Sequence, residues 1–550
     1  MRHNAIVAAA SVVAVAGAVG LVSGRAAATP TSGPLGNYKH LVVIYEENHS
    51  FDNLYGLWGN AGQQKVDGLP QARAGTTQVD QSGAPIGCLL QNDANLVTTT
   101  TSVKWLDGST HPGLQSPVCS ATSPPGAAFD SHFASSAPFS INDYVTATDK
   151  TCAPPTVFAA NGVEKGDPAG LPGGCTRDIV HRFYQEQYQL DGGKQDRYST
   201  GSDAVGLTQG HYNTKKLPVY RYLHKKHAPN YVIADHFFQG AFGGSFLNHQ
   251  YLIAARAPLD PAAAPGGPDA SLHSVVDQNG FPATYPLYKP ATPVKDAQLT
   301  QACGPAANPA VACGDFAVNT MQPSNTPSGG GAKLPLIDDA AYPNIGDRLS
   351  AAGVPWNWYS GGWNDAAAGH AGPLFQYHHQ PFTYFADYGV GKPGRSHLRD
   401  ETEFLAAAKD GTLPAVSFVK PYGAENEHPG YSSEPDGSTH LVSLLKAVLA
   451  SPQAKDTLVV VTYDEFGGQW DHVPPPGADS PTRGAHDAFG PGTRVPALLL
   501  SASMRRSGVD HTVYDTTSIM ATIERGLGLA PVADRDAKVR DLRGAIAVGR

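Results

Sequence analysis

Two apolar runs in this 550-residue chain end in adjacent oxygen donors. "HLVVIY" leads into Glu46, Glu47 and Asn48, and "TLVVVTY" leads into Asp464 and Glu465, followed by "FGGQWDHVPPP". Short runs rich in β-branched residues and bounded by polar ones read as buried strands of a parallel sheet. Such strands carry their chemistry just beyond their carboxyl ends. If both lie in one sheet, five oxygen-bearing side chains meet in one crevice. Carboxylates that close raise one another's pKa, whereas a divalent cation neutralises them and takes carboxylate and amide oxygens as ligands. The matched pair of runs therefore points to a metal site. The plainer alternatives are solvated acids on separate loops, with Asn48 or Ser50 capping a helix.

A third stretch, "GAFGGSFLNHQYLIAA", sets Ser245 behind Gly243 and Gly244, at a sharp turn before a helix. A nucleophile or an anion-binding group belongs there, because the backbone N–H groups of the helix start stand behind it. Ordinary capping by Ser245 is the competing reading. His378 and His379 in "FQYHHQPF" and His428 in "ENEHPGYSS" fall in loops next to expected strands. His181 falls on an expected helix, "DIVHRFYQEQYQLDGG". One such histidine would usually be structural; four near the edge of a sheet fit a site that binds an oxyanion and passes protons.

The elements that must position these groups are most regular in the second half of the chain. Helix "NIGDRLSAAG", strand "VPWNWYS", helix "TEFLAAAKDG", strand "AVSFVK", helix "HLVSLLKAVLAS", strand "TLVVVTYDE" and strand "VPALLLSA" follow one another. This alternation predicts an α/β fold, a doubly wound layer with a mainly parallel sheet. Two Pro/Gly-rich excursions, about 60–175 and 258–331, read as loop insertions, the first stapled by cysteines. A single domain over 38–550 is expected, with no internal repeat.

The first 28 residues have a basic start, an Ala/Val-rich stretch and Ala26-Ala27-Ala28, the layout of a signal peptide cleaved after Ala28. A membrane anchor would carry positive charges where this chain has small residues. A secreted protein with no stable anchor after cleavage is expected, and 29–37 reads as a linker. Six cysteines, Cys88, Cys119, Cys152, Cys175, Cys303 and Cys313, form an even set in such a chain and predict disulfides. Cys303 and Cys313 flank a short loop and are expected to pair; the other four are open. A net charge of −9 offers no basic patch for nucleic acid.

"EENHSFDNLYG", "GGSFLNHQ", "FQYHHQPF", "ENEHPG" and "TYDEFGGQWDHVPPP", in this order, closely resemble the bacterial phosphoesterase family. That family contains the secreted phospholipases C and a metal-dependent acid phosphatase branch, with a core similar to alkaline phosphatase. The resemblance runs from about Tyr38 to Leu529. It implies one divalent metal held by Glu47, Asn48, Asp464 and Glu465, with Ser245 at the position of the hydroxyl nucleophile. It implies phosphate-binding or proton-transferring roles for His181, His378, His379 and His428, and places His472 in a motif with a less definite role. Oxygen-rich ligation fits Ca, Mg or Mn, and the nearby histidines also fit Zn or Fe.

Phospholipases C of the family tend to carry a proline and an arginine where this chain has Leu247 and His249. Many have a second histidine where it has Gln187, and they tend to extend into a further β-rich region. "HRFYQEQYQLDGGK" and "GGSFLNHQ" look more like the acid phosphatase branch. The expected activity is thus hydrolysis of a phosphate ester substrate by a phosphomonoesterase, alternatively by a phospholipase C acting on phosphodiesters.

Overall fold

The computed structural model describes residues 37–72, 77–79, 82–85, 102–112, 118–123, 127–130, 137–159, 162–203, 207–278, 280–282 and 296–550. The expected signal peptide lies outside them. Eight strands make the central sheet: β1 (His40–Glu46), β2 (Tyr231–Ala234), β3 (Trp356–Ser360), β4 (Leu398–Asp400), β5 (Val416–Lys420), β6 (Thr457–Tyr463), β7 (Ala497–Leu500) and β8 (Gly508–Asp510). Their spatial order is β4-β3-β5-β1-β6-β7-β2-β8. All neighbours pair in parallel except at β7, which runs antiparallel to both β6 and β2. The direction of β7 is invisible in "VPALLLSA", because a continuous apolar run fits a buried strand of either sense.

The two strands that end in acids are neighbours. β1 pairs with β6 along its whole length, and Glu46 lies opposite Tyr463. Asp464 then donates its N–H to the Glu46 carbonyl at 3.1 Å. Every residue of β6, and every residue of β1 but His40, is buried. This burial on both faces is why neither strand shows polar alternation.

Seven helices matter for the site: α1 (Phe183–Leu190), α2 (Pro218–His224), α3 (Ser245–Ala254), α4 (Ile345–Ala351), α5 (Glu401–Asp410), α6 (Glu434–Ala450) and α7 (Thr517–Leu527). α2 and α5 pack on α6, and α4 and α7 pack on α3. α6 starts where the Ser433 hydroxyl accepts the Asp436 N–H, and α5 starts in a capping box of Asp400 and Glu403. Every side chain of α3 is buried, so this helix belongs to the interior.

His181 does not lie on a helix. α1 begins at Phe183, and the preceding segment is extended through Arg182. Cys303 pairs with Cys313 as expected, and Cys152 pairs with Cys175. Cys88 lies outside the described residues. Among the described residues no helix is long and apolar enough to cross a membrane.

Candidate active site

The carboxyl ends of β1 and β6 deliver their acids side by side. Successive side chains of an extended chain point to opposite faces, and the structure separates Glu46 from Glu47 accordingly. Glu47 turns into a crevice. Glu46 turns toward Glu427, and burial followed by that second acid drives its carboxyl well above the usual range. Asn48 follows in left-handed backbone, φ 54°, which asparagine tolerates better than most residues. Its N–H donates to Asp464 Oδ1 at 3.3 Å. Gly467 packs so closely that a Cβ there would lie 2.4 Å from the Asn48 carbonyl oxygen.

Ser245 is not a cap. Gly244 occupies the N-cap of α3, and Ser245 is its first helical residue. Its hydroxyl oxygen lies 3.3 Å from Glu47 Oε2, 3.3 Å from Glu465 Oε1 and 3.5 Å from Asn48 Oδ1. One hydroxyl proton serves one acceptor at a time, so the Ser245 hydroxyl can satisfy only one of the three oxygens around it. The two glycines make room for other protein groups: a Cβ on Gly243, where φ is 87°, would meet the Phe183 nitrogen at 2.7 Å. One on Gly244 would press on His181 at 3.1 Å.

Three acids, Glu47, Asp464 and Glu465, stand fully buried at this point. Burial first, and the Asp464 charge second, hold the Glu47 and Glu465 carboxyls well above their ordinary range. Asp464 Oδ2 accepts no hydrogen bond among the described residues. Lys420, at the end of β5, contacts Glu47 Oε1 and donates to the Tyr45 carbonyl at 3.0 Å. This buried lysine is not singled out in the sequence, where it closes the apolar run "AVSFVK". One ammonium cannot neutralise three carboxylates, and an orphaned carboxylate oxygen beside a convergent oxygen set fits a divalent cation.

The histidines form the rest of the wall. His428 donates from Nδ1 to the Pro429 carbonyl at 2.8 Å and accepts the Asn48 side-chain amide on Nε2 at 2.9 Å. It is therefore neutral, and it turns Asn48 Oδ1 toward the oxygens. His181 donates from Nδ1 to the Ile179 carbonyl at 2.6 Å and presents Nε2 3.3 Å from Glu465 Oε1. His379 Nε2 lies 3.1 Å from Glu47 Oε1. Burial, then the Lys420 charge, lowers His378 to about 3 and drives His379 well below the usual range. His181, Ser245, His378, His379, His428 and Tyr431 line a crevice of about 370 Å³.

His249, on α3, stands out in the sequence only as a departure from the phospholipase pattern, not as a site residue. It donates from Nδ1 to the Ser245 carbonyl at 2.8 Å and lies 3.7 Å from Asp464 Oδ2. Glu47, His249 and His379 can bring ligand atoms within 4.8 Å of one another.

His472 is not brought to this crevice. Its Nδ1 bonds Asp52 Oδ2 at 2.5 Å, its Nε2 lies 3.2 Å from Asp67 Oδ1, and Arg494 is beside it. Burial opposes its charge, but Asp52, through charge and hydrogen bond, and Asp67 push it up to about 10. After Gly467 and Gly468 the chain has turned away from the acids, so adjacency in one motif did not mean one site.

A model of the Phosphoesterase family matches residues 147–530. The chain belongs to that family. It is similar to phospholipase C B of Mycobacterium tuberculosis, with 25% identity over 71% of this chain and 71% of the relative. A non-hemolytic phospholipase C of Burkholderia pseudomallei is 30% identical over 33% of this chain and 29% of its own. Among solved structures, a protein in the alkaline phosphatase superfamily from Vibrio parahaemolyticus shares 11% identity over 35% of this chain and 50% of its own. The TM-score is 0.23. Membership of the phosphoesterases makes the protein a hydrolase of phosphoric esters, and the crevice supplies the candidate groups.

Proposed function

We infer that this phosphoesterase is a phospholipase C-type enzyme that cleaves phosphodiesters of phospholipids, using Ser245 as a covalent nucleophile beside a divalent metal. The names of its relatives support the ester class more than they support the phosphomonoesterase expected from local motifs. The convergence of the Ser245 hydroxyl on Glu47, Asn48 and Glu465 carries the mechanism. A cation held by Glu47, Asn48, Asp464 and Glu465 would supply a Lewis acid at the reacting oxygens. Ser245 Oγ attacks phosphorus, and its proton passes to a carboxylate oxygen within 3.3 Å. The phosphorus–oxygen bond to the leaving alcohol breaks as the new bond to Ser245 forms. His181, whose Nε2 opens on the crevice, delivers a proton to the departing oxygen. Neutral His378 and His379 remain as N–H donors to the phosphoryl oxygens. Water then displaces Ser245 and releases the phosphate half of the substrate.

The phosphomonoesterase reading keeps one observation of its own: His249, where family phospholipases tend to carry arginine, stands 3.7 Å from Asp464 Oδ2. A side-by-side assay on phosphatidylcholine vesicles and an aryl phosphomonoester, each with and without chelator, separates the two. Chelator-sensitive release of diacylglycerol, faster than monoester hydrolysis, is expected; the opposite ranking makes the enzyme a phosphatase. The disulfides and the amino-terminal layout support export.

A further inference from the structure

Glu186, on α1, is a fully buried acid that the mechanism above does not use. Both of its oxygens are saturated by donors. Oε1 accepts the Thr493 N–H at 2.7 Å and the Thr493 hydroxyl at 2.8 Å. Oε2 accepts the Gly243 N–H at 2.6 Å and the Gln239 amide at 2.9 Å. Four hydrogen-bond partners hold the carboxyl group in place, while burial pushes its pKa up to about 8 against their pull.

Gln239 extends the same connection. Its amide nitrogen, with two hydrogens to share, also lies 2.7 and 3.1 Å from the Ala241 and Gly243 carbonyls, and its Oε1 accepts the Phe466 N–H at 2.9 Å. Phe466 directly follows Glu465. The turn that presents Ser245 is therefore tied, through one carboxyl group and one amide, to the segment that presents Glu465. Asn248 also braces the turn, but its side-chain bonds run to Ala241, Gly243 and Gly244, within the same turn and helix. Only the Glu186–Gln239 pair, among the described residues, links that unit outward to both Thr493 and Phe466. Packing around the pair is close: a Cβ on Gly492 would lie 2.5 Å from Glu186 Oε1 and 2.7 Å from Gln239 Nε2.

We propose that Glu186, acting with Gln239, is a positioning residue that holds the Gly243–Ser245 turn at a fixed distance from Glu465, so that the serine hydroxyl is kept in line for attack. This rests on the reading of Ser245 as the nucleophile. Displacement of a reacting group by about 1 Å can cost on the order of 100-fold in rate. A fully buried carboxyl group with four short hydrogen bonds is a stiff way to prevent it. Glu186→Gln keeps the shape but turns an amide N–H against existing donors, on the Thr493 side or the Gly243 side. Gln239→Met removes the Phe466 and Gly243 links while leaving the carboxyl group, and serves if the first variant does not fold.

The test compares both variants with wild type on an aryl phosphate ester, with bound metal measured on the same samples. Enzyme is also quenched during turnover to measure phosphoryl groups on the Ser245 peptide. We expect kcat to fall about 10- to 100-fold with KM changed less than about threefold. Metal content should be unchanged, and phosphorylation of Ser245 should slow in step with kcat. Wild-type kcat in a folded variant overturns the proposal. So does a loss of activity matched by loss of metal, because the pair would then serve the acids and not the serine. Ser245→Ala, assayed in parallel, reports separately on the nucleophile: an active alanine variant removes that reading whatever Glu186 does.

Discussion

Asp464 is the residue whose charge the site can least spare. Its Oδ2 accepts no hydrogen bond among the described residues, and its charge adds to burial in raising the carboxyls of both Glu47 and Glu465. Asp464→Asn keeps the shape and removes the charge. Activity should fall on the order of 100-fold or more, since loss of an outer-shell partner alone costs 10- to 100-fold at metal sites. Metal content should fall with it while the circular dichroism spectrum is retained. Full activity with full metal occupancy would remove Asp464 from the ligand set. At this scale the sequence was most informative where oxygen donors followed apolar runs, because parallel strands leave their acids little choice of neighbour. It was least informative for Lys420, His249 and Glu186. A lysine after "SFV", a histidine inside a buried helix and a glutamate in "YQEQYQ" have ordinary structural readings, and only tertiary packing brings them to the acids or to the turn.

Elements position these residues through backbone that tolerates few substitutions. Gly467 has φ 61° and lies against the Asn48 carbonyl. Gly467→Ala should cost about 2 kcal/mol or more from backbone strain and overlap. It should also lower metal affinity by displacing Asn48, and unchanged metal binding would contradict that link. The network after that turn makes a separate prediction. His472 is raised to about 10, so its charged form stabilises the fold. That contribution is fully present below about pH 6.5 and is lost as pH rises toward 10. Wild type should therefore lose stability across this window with a slope of up to about 1.4 kcal/mol per pH unit. Chemical denaturation of His472→Gln should show that slope reduced by one proton; equal slopes would mean His472 is neutral in the folded protein. The alternation of helices and strands was legible because each period is local. The sense of β7 and the start of α1 were not, since the first depends on which neighbours pair and the second on where the chain must pass Gly243 and Gly244.

For the whole molecule, two crosslinks among the described residues staple the loop excursions internally, one in each. Cys152–Cys175 closes a loop with a sequence separation of 23. Its reduction should cost about 3 kcal/mol by the chain-entropy estimate and lower the melting temperature. A melting curve unaffected by reduction, with thiol release verified, would contradict this. In the mechanism proposed above, this phosphoesterase works through a serine ester. The most direct measurement quenches enzyme in acid during turnover of a phosphate ester and maps the modified peptide by mass spectrometry. The phosphoryl group should be found on Ser245, and Ser245→Ala should keep its melting temperature while losing nearly all turnover. An unmodified Ser245 peptide, together with an alanine variant that retains substantial activity, would contradict the account and leave direct attack by water in its place.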